Sequence, residues 1–143
     1  MSTADRPDIR NNYATFLPCM VATSQAATKG MCAEVTAISA TNGVTVKNGT
    51  AANDLTIGFF TQTKTAGEIV EVQLFCPTAL ALVGTGGSTV GKPQKAVTDG
   101  VTDAPAHATS GGTSDNIVGI ALDTGVAGDH IAIIPIRAFR GST

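Results

Sequence analysis

The chain has 143 residues, a net charge of −2, 43% hydrophobic residues and only 14% charged ones. That suits one domain with a core of its own and argues against disorder throughout. A weak negative charge without a basic stripe or interleaved aromatics argues against nucleic acid, and no apolar run approaches the ~20 residues of a membrane span.

Residues 1–10 lack the apolar stretch of a signal peptide, so synthesis in a cytoplasm is expected. The scarcity of long charged side chains leaves a surface poorly defended against association. It points to a protein built to sit against others.

In chain order, residues 1–18 come first as a polar arm with balanced charges, ending in Tyr13-Ala14-Thr15-Phe16-Leu17-Pro18. Pro7 and Pro18 discourage regular structure nearby, and an extended arm of this length reaches roughly 60 Å. Residues 19–143 form the folded domain. Within it, β-branched runs at 30–37, 43–47, 55–61, 68–75, 78–83, 94–97, 117–122 and 130–139 predict strands. Asn42-Gly43, Asn48-Gly49, Ala66-Gly67 and Asp99-Gly100 supply the positive φ of tight turns between them. No window carries a helical stripe of three turns, and the alanines near Ser24–Thr28 allow a single turn at most. The expected class is all-β.

Residues 55–72 also lie over residues 116–133 at a constant offset of 61, without a gap. Gly58 meets Gly119, Thr63 meets Thr124, Ala66-Gly67 meets Ala127-Gly128, and Glu68 meets Asp129. Each copy reads as a strand, a turn at Ala-Gly-acid, and a return strand. Glycine inside the first strand signals a bulge or a close backbone approach. Two such hairpins imply a small β-barrel or sandwich with internal symmetry.

One stretch tests for chemistry. Gly86 to Lys92 has the G-x-x-x-x-G-K spacing of a phosphate-binding loop. The position after Lys92 is Pro93, which has no hydroxyl for a metal, and residues 94–103 are too β-branched and glycine-broken for the required helix. A connection between strands is expected instead. The other reactive residues carry no catalytic pattern. Asp99, Asp103, Asp115, Asp123 and Asp129 sit at turns and strand ends, His107 and His130 are isolated, and Cys19, Cys32 and Cys76 lack metal-ligand spacing and are expected free and buried. The expectation is no enzyme, no cofactor and no metal.

The second repeat copy, Ile117-Val-Gly-Ile-Ala-Leu-Asp-Thr-Gly-Val-Ala-Gly-Asp-His-Ile-Ala-Ile-Ile-Pro-Ile, resembles the C-terminal segment of head-decoration, or capsid cement, proteins of tailed bacteriophages. Glu68-Ile-Val-Glu-Val-Gln-Leu-Phe, Val90-Gly-Lys-Pro and Thr98-Asp-Gly-Val follow the same pattern, so the resemblance spans roughly residues 40–137. It implies a single β-barrel or β-tulip domain on the exterior of the virion capsid. There it binds the major capsid protein, often as a homotrimer, and clamps neighbouring subunits against internal pressure. An arm of this kind adds a strand to an exposed sheet edge, with Tyr13, Phe16 and Leu17 as apolar anchors. Ile131, Ile133 and Ile134 interrupt strict alternation and are the candidates for a subunit contact. The alternative is a β-barrel knob that recognises a glycan or host surface. It ranks second because only 4% of residues are aromatic and none is Trp.

Overall fold

The computed structural model describes residues 16–51, 55–74, 78–104 and 116–139, and every element among them is a strand. The strands are β1 (Phe16–Val21), β2 (Ala26–Ala27), β3 (Cys32–Ser39), β4 (Gly43–Asn48), β5 (Thr56–Phe60), β6 (Lys64–Thr65), β7 (Ile69–Gln73), β8 (Ala79–Leu82), β9 (Pro93–Val97), β10 (Gly100–Asp103), β11 (Asn116–Ala121) and β12 (His130–Phe139). All eight predicted strands are present. Ala26–Ala27, read as a possible helical turn, is the short strand β2, paired with β6.

Five strands, β1-β4-β3-β5-β7, close into a barrel, and five more form a sheet in the order β10-β9-β11-β12-β8. The second set repeats the first. Phe59↔Gln73 and Phe60↔Val72 pair across β5 and β7, and the residues 61 further on, Ile120↔Ile134 and Ala121↔Ile133, pair across β11 and β12. The same offset carries Cys32↔Phe59 and Ala33↔Gly58 onto Pro93↔Ile120 and Gln94↔Gly119. The β9–β10 hairpin then departs from the offset, because its connection is shorter than that of β3–β4. Even the closing contact recurs. Val21 pairs in parallel with Val46, and Val83 pairs in parallel with Val101. The chain is a tandem pair of five-stranded units, so the hairpin repeat seen in the sequence is the visible part of a larger duplication.

The residues kept identical in the repeat are those with backbone duties. A Cβ on Gly58 would overlap the Gln73 carbonyl, and one on Gly119 would lie 2.7 Å from the matching Ile134 carbonyl oxygen. Ordinary Cβ atoms do not come that close, so glycine is required where the strands bulge together. The Thr63 hydroxyl accepts from the Lys29 N–H, and the Thr124 hydroxyl accepts from the Val90 N–H, both at 3.1 Å. Glu68 accepts from the Thr65 N–H at 2.7 Å, and Asp129 from the Val126 N–H at 2.9 Å. These carboxylates cap the turns that precede β7 and β12.

Each unit has its own core. Cys19, Val21, Ala27, Met31, Ala33, Val46, Phe60, Val70 and Val72 fill the first. Ala79, Ala81, Val83, Ala96, Val101, Val118, Ala121, Ile131 and Ile133 fill the second, together with Cys32 and Phe59 from the first unit. Neighbours on a strand face opposite ways. Phe60 therefore points into its own barrel while Phe59 points across the seam. In return, Leu82 of β8 packs against the first core, and its N–H donates to the Gly30 carbonyl at 2.8 Å.

Phe59 thus belongs to both units, whereas its repeat counterpart Ile120 is only half-buried. Phe59→Ala is expected to destabilise the fold by about 3–5 kcal/mol, and Ile120→Ala in dilute solution by less than about 2 kcal/mol. Urea unfolding of both variants checks the asymmetry.

Candidate functional site

The loop with phosphate-cradle spacing runs from β8 to β9, with no helix behind it. Its amides are already engaged. The Gly87 N–H donates to the Gly84 carbonyl, Ser88 to Gly125, Thr89 to the Asp103 carboxylate, Val90 to Thr124, Gly91 to the Ala121 carbonyl and Lys92 to the Thr89 carbonyl. Lys92 itself lies 3.7 Å from Asp103. A resident carboxylate therefore stands where an anion would have to bind. The loop is a strand connection, as expected.

Asp103 is the centre of this polar knot. It accepts from the fully buried Gln94 amide at 2.7 Å and from the Thr89 N–H at 2.8 Å. Burial pushes its carboxyl up, but the hydrogen bonds from Gln94 and Thr89 and the Lys92 ammonium outweigh that, leaving it below the usual carboxylate range. In the first unit Asn48 holds the equivalent place and accepts from the Thr28 N–H at 2.8 Å. At the neighbouring turn, the hydroxyl and N–H of Thr85 hold Asp99 below its ordinary value. These acids stabilise turns and are not arranged as an acid–base pair. Among the described residues no three His, Cys, Asp or Glu side chains gather as a metal site. His107 and Cys76 lie outside the described residues. Cys19 and Cys32 are buried thiols that form no disulfide, and burial pushes the Cys19 thiol up to about 11.

One feature shaped to receive another molecule is apolar. A cleft of about 220 Å³ opens where the two units meet. Leu17, Ile57, Phe59 and Leu74 line it from the first unit, Val118, Pro135 and Ile136 from the second. The Thr56 hydroxyl is the one polar side-chain group on its wall. Such a lining suits an apolar side chain, not a charged substrate.

Two of the predicted arm anchors reach this region. Phe16 and Leu17 are the first residues of β1 and pair with Gln73 and Val72 of β7. Phe16 is 48% exposed, whereas Leu17 is half-buried in the cleft wall. Tyr13, the third anchor, lies outside the described residues. The three isoleucines separate differently from the expectation. Ile131 and Ile133 face into the core of their own unit, and Ile134 faces outward beside Ile120. Alternation along β12 is regular here, with Ala132 and Ile134 on the outer side. Of the three, Ile134 alone is placed to meet a partner.

No family model matches the chain, and no curated protein matches it. Among solved structures, it is similar to the N base of head fiber gp8.5 in bacteriophage phi29. The TM-score is 0.60 at 8% identity, over 89% of this chain and 98% of that one. The likeness is one of fold. It extends over both units of this chain.

Replacing Asp103 by Ala removes an acceptor from the buried Gln94 amide and the Thr89 N–H, with an expected cost of about 1–3 kcal/mol at pH 7. Asp103→Asn should recover most of this, since Asn48 does the same work in the first unit. The folded carboxyl titrates below its unfolded value, so its charge-dependent stabilisation is complete above about pH 4 and is lost as pH falls through the folded value. The stability gap between wild type and Asp103→Asn should therefore close on acidification, as read by urea unfolding from pH 7 to 3. Separately, Cys19 and Cys32 should resist a thiol reagent at pH 8 until denaturant is added, with mass spectrometry locating the label.

Proposed function

We propose that this chain is a structural protein of a phage virion that binds the outer surface of the assembled head. It binds as a homotrimer and stabilises the shell by clamping neighbouring major capsid protein subunits. The observation that carries this reading is the likeness in fold, along nearly the whole of both chains, to the base of a phage head fiber. The sequence resemblance to head-decoration proteins points the same way from independent residues. The engaged amides of residues 87–92 and the apolar cleft support a binding role over a catalytic one.

The exposed large side chains favour a protein partner over a sugar. Ile38, Leu55, Ile69, Val90 and Val126 are aliphatic, and among the described residues Phe16 alone is an exposed aromatic. Aliphatic patches desolvate against other apolar surface, whereas sugar rings are usually held by aromatic faces. The arm supplies the reach. Residues 1–15 precede β1 in sequence, Leu17 of β1 lines the cleft, and in this reading Tyr13 and Phe16 anchor a strand added to a shell-protein edge.

Co-sedimentation with expanded and unexpanded phage heads tests the proposal. The full chain should bind expanded heads saturably and unexpanded heads weakly or not at all. A version starting at Phe16 keeps all of β1 and should bind about tenfold more weakly, equivalent to about 1.4 kcal/mol. Absence of binding to either form would remove the capsid role. Undiminished binding of the shortened chain would move the anchor from the arm to the barrels.

A further inference from the structure

Among the described residues, three glycines directly follow an asparagine or aspartate: Asn42-Gly43, Asn48-Gly49 and Asp99-Gly100. All three present the same reacting pair, a glycine backbone nitrogen beside the side-chain carbonyl carbon of the residue before it. Glycine favours their joining because no Cβ shields its nitrogen. What separates the three is how firmly the fold holds the two atoms.

Two of the pairs are held. Asn48 Oδ1 accepts from the Thr28 N–H at 2.8 Å, and its Nδ2 donates to the Thr28 hydroxyl at 3.0 Å. The nucleophile is held as well, since the N–H of the buried Gly49 donates to the carbonyl of the fully buried Cys32 at 2.8 Å. Asp99 accepts from the N–H and the hydroxyl of Thr85, at 2.9 and 2.6 Å, which favours its ionised form. An ionised carboxylate resists a nucleophile. The buried Gly100 is also packed so closely that a Cβ would overlap the Leu82 carbonyl.

Asn42 is in the opposite situation. It lies in the turn at the tip of the β3–β4 hairpin, where residues 36–43 are all exposed. Its backbone N–H donates to the Ser39 hydroxyl at 3.0 Å, but no hydrogen bond to the described residues holds its side chain. Gly43 forms the outermost pair of the hairpin, with Ser39, at a φ of 65°. Nothing lies within 4 Å of where its Cβ would stand. The last pair of an exposed hairpin opens at little free-energy cost, and opening releases the Gly43 amide.

We propose that Asn42-Gly43 is a site of spontaneous modification in the folded protein, while the fold protects Asn48-Gly49 and Asp99-Gly100. The Gly43 nitrogen bonds to Cγ of Asn42, the Cγ–Nδ2 bond breaks, and the proton from the Gly43 N–H passes through solvent to the departing nitrogen, which leaves as ammonia. Water then opens the cyclic imide at either of its carbonyls, giving aspartate or isoaspartate. No electrons change hands. Each product adds one negative charge to a chain whose net charge is −2, on the tip that also carries the exposed Ile38. The step needs no partner and is independent of the capsid role.

Peptide mapping by mass spectrometry of the full chain, aged at pH 8, tests the proposal, with electron-transfer fragmentation separating isoaspartate from aspartate. In the folded protein Asn42 should convert at least about tenfold faster than Asn48, and in denaturant the two should convert at similar rates. Gly43→Ala places a methyl in open space and should slow conversion at Asn42 by about tenfold in both states. An Asn42 that stays intact in the folded chain would overturn the proposal. So would an Asn48 or Asp99 that converts as fast as Asn42 before denaturant is added. Unchanged conversion in Gly43→Ala would rule out the Gly43 nitrogen as the nucleophile.

Discussion

Each five-stranded unit depends on one short parallel contact between its first strand and the strand that would otherwise end the sheet. In the first unit this is Met20 and Val21 against Thr45 and Val46; in the second it is Val83 against Val101, reinforced by the Gly84 N–H donating to the Val101 carbonyl at 2.8 Å. Without it, each sheet would present two open edges, the usual starting point for unwanted strand pairing. With it, the valines that make the contact become the buried centre of each core. Closure and core formation are the same event. That is how units of about sixty residues with few aromatics remain ordered.

The duplication then shapes everything outside the cores. Two five-stranded units joined through unlike faces cannot be symmetric, and the chain shows where symmetry was given up. Phe59 crosses the seam, and Ile120 stands in the open. Gly30 is packed against a neighbour, and Gly91 faces nothing. The cleft lined by Leu17, Phe59, Val118 and Pro135 lies where the barrel and the second five-stranded unit meet. The cleft follows from how the second copy sits on the first.

Much of this was legible in the sequence, and the parts that were not have physical reasons. The β5–β7 and β11–β12 hairpins were readable as a repeat because Gly58/Gly119, Thr63/Thr124 and Gly67/Gly128 perform backbone tasks that few other residues can. The remaining strands of the duplication were hidden. Cys32 and Pro93, or Ala33 and Gln94, occupy equivalent positions with unrelated side chains, and the shorter β9–β10 connection breaks the constant offset. Strand β1 was read as part of an arm because Pro18 argues against a strand. Pro18 pairs with Glu71 of β7 at a point where β1 has not yet met β4, so a missing N–H interrupts no second ladder. The isoleucines of β12 misled for a different reason. With Ala132 outside and Ile134 beyond it, an ordinary inward–outward alternation looked like an interruption.

The most direct test of the account is a cryo-electron microscopy reconstruction of expanded heads saturated with the protein. The account expects two-unit bodies on the outer face of the shell, each spanning a junction between capsid subunits, with density for residues 1–15 running onto the shell protein. Shells without added density, or density confined to another part of the particle such as the tail, would contradict it.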